Sequence, residues 1–168
     1  MMPKYFSLGF LLLVAAFAVQ PAQATSLTDY LENKLADDQF RTTAYTKPVT
    51  HYVSLLTAAC SDSVAGTEVT GGAYARVAVT KGDAAWKGTH ASATGVSSGT
   101  GGTISNAAAI TFPTPTANWG VVTHFAVDDA ATAGNRMICQ ALTTSKTINN
   151  GDAAPSFGID ALTIQVDN

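Results

Sequence analysis

The spacing of apolar positions changes twice along the chain. Residues 6–19 form an uncharged apolar run behind Lys4. Beyond it, Leu27, Tyr30, Leu31, Leu35 and Phe40 recur at helical spacing. After Thr46-Lys47-Pro48 the period shortens to two.

The first regime has the layout of an export signal. Lys4 supplies a positive start, Pro21 ends the apolar run, and Ala22-Gln23-Ala24 is an A-x-A cleavage site. A run over 6–19 is shorter than the roughly 20 residues a spanning helix needs. Residues 1–24 therefore read as a cleavable signal peptide, with maturation at Thr25 and no membrane association after its removal. The expected location is exported: periplasm, extracellular space or virion surface.

Residues 25–168 read as one domain. The helix is expected over 26–40, within a leading segment 25–41. Ser26 or Thr28 would cap it, Asp29 and Glu32 would favour its positive end, and Lys34 would face Asp38 one turn on. Its stripe of Leu27, Tyr30, Leu31 and Leu35 is a docking face for the sheet or for a neighbouring subunit.

Strands are expected over 51–56, 74–79, 107–112, 121–127, 136–142 and 161–166, separated by Gly, Pro, Asn and Asp turns. No strand-then-helix unit repeats, which argues against a parallel sheet. The predicted class is all-β: an antiparallel β-sandwich with one short N-terminal α-helix. Residues 88–102 lack both periodicity and bulk and read as a flexible Gly/Ser/Thr loop.

Composition narrows the function. Charged residues are only 12% of the chain, and the formal charge of −3 leaves no basic footprint for nucleic acid. An export route makes Cys60 and Cys139 the only intramolecular disulfide pair available. The alternative is two buried free thiols.

Chemistry is sparse. His51, His90 and His124 are too scattered for a metal motif, and Asp128-Asp129 lacks the spacing of a calcium loop. The string Gly95-Val96-Ser97-Ser98-Gly99 has the G-x-S-x-G spacing but lies in the 88–102 loop with no helix expected after it, so it does not read as a nucleophile elbow, and nothing singles out Glu68 with Asp128 or Asp129 as a catalytic carboxylate pair. Gly71-Gly72 and the glycines of 99–102 precede no helix, so they do not form a phosphate cradle. The expectation is a non-enzyme with no cofactor and no metal. Carbohydrate contact is the better candidate: Trp86, Trp119, Tyr45, Tyr52 and Tyr74 offer flat faces, with Trp86 the best placed beside the loop.

Several segments carry a family resemblance. They are Ser26-Leu27-Thr28-Asp29-Tyr30-Leu31-Glu32-Asn33-Lys34-Leu35, Pro48 before Tyr52-Val53, Gly66-Thr67-Glu68-Val69 and Gly71-Gly72-Ala73-Tyr74-Ala75-Arg76. Ser105-Asn106-Ala107, Ile110-Thr111-Phe112-Pro113, Ala117-Asn118-Trp119-Gly120, Val122-Thr123-His124-Phe125 and Ala141-Leu142-Thr143 follow in order. Together they resemble a family of small phage structural proteins of the tail-fibre-like kind. The resemblance implies a β-sandwich acting by self-association and surface attachment, partnered by its own copies or other virion and surface proteins. It implies no catalytic residues.

The export signal departs from that family pattern, as does Arg136-Met137-Ile138-Cys139-Gln140 where a more apolar strand is expected. Within the motif, Arg76 is expected to pair with Glu68 in a mostly exposed bridge worth about 0–1 kcal/mol. The alternative reading, from another class, is a secreted carbohydrate-binding or adhesion module using Trp86 against a cell-surface glycan.

Overall fold

The computed structural model describes residues 27–88, 96–97 and 102–166. The expected signal peptide, His90 and most of the 88–102 loop lie outside them. One helix, α1 (Asp29–Phe40), precedes strands β1 (Thr50–Ala58), β2 (Thr67–Glu68), β3 (Val77–Thr80), β4 (Trp86–Gly88) and β5 (Thr103–Asn106). Strands β6 (Ile110–Thr111), β7 (Gly120–Asp128), β8 (Arg136–Ile148), β9 (Ser156–Phe157) and β10 (Thr163–Gln165) complete the chain. The architecture is the all-β sandwich expected, with every strand pair antiparallel.

The main sheet has the order β2-β1-β7-β8, with β3 also paired to β1. Opposite it lie the sheet β10-β5-β4 and the ribbon β6-β9. The β1–β7 register sets Val53 beside Val127 and Leu55 beside Phe125. Because side chains alternate along a strand, these four share one face. All four belong to the main core, together with Ile110, Phe112, Leu162 and Ile164 from the opposite layer. Aromatic edges knit it: Phe157 meets Phe112 and Phe125 at ring-centroid distances of 6.3 and 5.6 Å.

The other face of β1–β7 carries Ser54, Leu56, Ala126 and Asp128, and all four are buried too. An antiparallel sheet commonly leaves one face to water. Here both faces of the central pair are closed.

Several local expectations are corrected. Tyr74-Ala75-Arg76 is not strand: Gly71, Gly72 and Ala73 all take positive φ, turning the chain just before β3. The expected strand over 107–112 shrinks to β6, while Thr103–Asn106 forms β5 in its place. Thr28 sits at the N-cap but does not cap; its hydroxyl donates to Arg136 O at 2.6 Å. Asp38 pairs with Lys47 at 2.7 Å, and Lys34 lies over the Tyr30 ring.

Candidate functional site

The Glu68–Arg76 pair is not the exposed bridge the sequence suggested. Arg76 holds Glu68 with both ends of its fork, Nε to Oε1 at 2.9 Å and Nη2 to Oε2 at 2.7 Å. Its Nη1 donates to Ala130 O and Ala133 O at 2.8 and 2.9 Å. Only 9% of the Arg76 side chain is exposed, because it lies across the buried outer face of β1–β7. Arg136, the residue that broke the apolar pattern of its strand, enters from β8 and donates to Asp128 Oδ1 at 3.1 Å. Ser54 donates to Asp128 Oδ2 at 2.5 Å.

The cluster is thus two arginines against two carboxylates, with Asp128 at its floor. Burial pushes the Asp128 carboxyl above its ordinary value, against the pull of Ser54 and the two arginines. Glu68 is shifted the other way: burial pushes it up, but hydrogen bonds from Arg76 and Tyr74 and the arginine charges more than offset this. Asp129, beside the cluster, organises the turn between β7 and β8. It accepts from Asn135 N at 2.7 Å and Asn135 Nδ2 at 2.9 Å. The two carboxylates of the Asp128-Asp129 corner thus serve the buried cluster and the β7–β8 turn respectively.

Cys60 and Cys139 are brought side by side on the same outer face, with Cα atoms 6.1 Å apart and sulfurs in bonding contact. That separation lies inside the range a disulfide spans. Leu56 and Ala126 pack around them.

The helix stripe faces inward. Leu27 bridges antiparallel to Ile138 of β8, Tyr30 and Leu31 pack against the main core, and Tyr30 OH donates to Asp129 Oδ2 at 3.3 Å. Leu27, Tyr30, Leu31 and Leu35 are all half-buried. The face offered by the sequence to a neighbouring subunit is largely taken up by the chain's own sheet.

Leu31 and Leu35 also form part of a cavity of about 510 Å³ between α1, the main sheet and the β10-β5-β4 sheet. Its floor is apolar, with Val127, Met137 and Ile164 each no more than 3% exposed. Trp86 stands in its wall, half-buried and edge-on to His51 at a centroid distance of 6.1 Å. Trp86 Nε1 and His51 Nδ1 are shut off from solvent without a hydrogen-bond partner among the described residues. Burial, and then the charge of Lys81, hold the His51 imidazole below its ordinary pKa.

Trp119 offers no platform. It is 5% exposed, and its Nε1 donates to Gly72 O at 2.9 Å. Tyr74 lies edge-on to it at 5.3 Å, its hydroxyl donating to Glu68 Oε1 at 2.9 Å and accepting from Leu55 N.

The sequence did not single out Ser54, Arg136 or Asn106 as partners. Asn106 is fully buried; its Nδ2 donates to Ala108 O and Gly158 O, and its Oδ1 accepts from Leu162 N. The only signal was local: a polar residue inside an apolar strand pattern, in a chain with few charges.

The class is therefore a small antiparallel β-sandwich with a docked N-terminal helix and a buried charge cluster on its outer face. Residues 26–165 match the family model described as Podophage GP4 fiber I protein gp80, and the chain belongs to that family. At the family level it is a virion structural protein of the fibre type, as the sequence resemblance implied. A comparison with curated proteins gives no match. No helix among the described residues is long and apolar enough to cross a membrane.

Proposed function

We propose that this chain is a non-enzymatic fibre subunit that acts by self-association and surface attachment once its leader has directed it out of the cytoplasm. The family match carries this reading. The match begins at residue 26, just past the A-x-A site that ends residues 1–24, which supports a leader added to a fibre domain. The closeness of Cys60 and Cys139 supports an oxidising destination. A surface poor in charge suits close subunit packing, because few charges need desolvating.

With the helix stripe docked inward, Phe40 at the end of α1 becomes, among the described residues, the most exposed large apolar side chain for a neighbour, at 89% exposed. Light scattering coupled to size exclusion, without reductant, tests the reading. A defined oligomer that Phe40→Ser weakens supports it. A monomer at every concentration overturns self-association.

Glycan recognition at Trp86 is the second reading. It rests on the Trp86 ring standing in the wall of an open cavity, with Tyr45 and His51 in the same lining. A glycan screen comparing Trp86→Ala with the wild type tests it: loss of a specific signal supports the reading, and the absence of any signal in the wild type overturns it.

A further inference from the structure

The cavity under α1 combines features that the fibre role does not use. Its floor is aliphatic and its walls are aromatic, while its rim is cationic. Three lysines, Lys47, Lys81 and Lys87, border it, against the single carboxylate of Asp83. Lys47 is neutralised by Asp38 at 2.7 Å and Lys87 by Asp160 at 2.6 Å. Lys81 is exposed, and its ammonium has no ion-pair or hydrogen-bond partner among the described residues. Its charge reaches the cavity wall, where, after burial, it contributes to lowering the pKa of His51.

A volume of about 510 Å³ falls within the roughly 300–1,000 Å³ that small-molecule sites occupy. Trp86 Nε1 and His51 Nδ1 are closed to solvent, so these two side chains offer the cavity their apolar ring surfaces rather than polar atoms.

We propose that this cavity binds a monomeric amphiphile with an anionic head, such as a single-chain alkyl carboxylate. The alkyl chain lies between Leu35, Ile138, Ile164 and Trp86, all in the lining. The carboxylate meets Lys81 at the mouth. Burying an alkyl chain gains about 0.8 kcal/mol per methylene, which supplies affinity. The unpaired ammonium supplies the preference for an anion over a neutral head.

The test uses the full purified protein, stripped of lipid, titrated by calorimetry with dodecanoate below its micellar concentration. Expected are saturable one-to-one binding, a change in Trp86 fluorescence that Trp86→Phe removes, and dodecanol bound about tenfold more weakly. Lys81→Gln alters an exposed side chain and is expected to keep the fold, as thermal melting would show, while erasing the preference for dodecanoate over dodecanol. Leu35→Trp, which fills the cavity from the helix side, is expected to abolish binding of both. Absence of saturable dodecanoate binding overturns the proposal, as does equal affinity of the wild type for the acid and the alcohol. Neither result bears on self-association, which is read separately by light scattering.

Discussion

Arg136 Nε donates to Asp128 Oδ1 at 3.1 Å, joining the first residue of β8 to the last residue of β7. Both side chains are nearly closed to solvent, 10% and 2% exposed, so neither recovers hydration if the other is removed. Arg76 approaches the same carboxylate only to 3.6 Å. Arg136→Met is therefore expected to cost about 3–5 kcal/mol, the usual penalty for stranding a buried charge. Adding Asp128→Leu removes the stranded charge and should recover most of that loss. Urea midpoints of the wild type, the single and the double variant check this; a double variant no more stable than the single would show that the pair is not the source of the loss.

The two carboxylates of the cluster give opposite pH signatures. Glu68 is held below its ordinary value of 4.5 in the folded state, so its contribution is complete above that value and lost as the pH falls through the folded pKa. Asp128 is held above 3.8, so its contribution is present below that value and lost as the pH rises through the folded pKa. Protonation of Asp128 thus offsets part of the acid loss from Glu68. Glu68→Gln should lose stability less steeply than the wild type as the pH falls below 4.5, and Asp128→Asn more steeply. Denaturant unfolding along a pH series measures both slopes, and parallel curves for all three proteins would refute the assignment.

Backbone strain sits in the turn before β3. Gly72 has φ +54°, and a Cβ there would lie 2.9 Å from both Ala117 Cβ and Ala117 N and 3.0 Å from Trp119 Nε1. Gly72→Ala is expected to cost about 2 kcal/mol or more, because it adds steric overlap to a left-handed backbone. Ala73 already occupies φ +62° with a side chain in place. Ala73→Gly should therefore stabilise the fold by about 1 kcal/mol. Thermal or chemical melting of the two variants reads these opposite signs directly.

If Cys60 and Cys139 are joined, the crosslink spans 79 residues and should stabilise the fold by about 4.5 kcal/mol through the denatured chain. Protein purified without reductant should then resist thiol alkylation after denaturation, and added reductant should lower the urea midpoint. Two alkylated cysteines in the unreduced protein would exclude the bond.

The fibre-like segments were legible in the sequence because each is a local pattern. A helical stripe, two-residue periodicity and turn glycines are all readable over a few positions. The strands β1, β7 and β8 were recognisable for that reason, as was α1. Short strands such as β2 and β9 were not, since two residues carry no period of their own and are strands only because a partner pairs with them.

By itself, the sequence determined the all-β class, the position of the helix, the family and the cysteine pair available for bonding. Tertiary structure decided where the polar groups go. Arg76 is distant in the chain from Asp128 and Arg136, and only the β3–β1–β7–β8 pairing places the three on one buried face. Sequence spacing underestimated the Glu68–Arg76 pair because exposure depends on what covers a side chain, here the 129–135 turn. The same holds for the helix stripe: periodicity shows that a face is apolar, but only packing chooses between the chain's own sheet and a neighbour. The cavity beneath that helix is likewise a product of how three elements meet, and no segment of the sequence contains it.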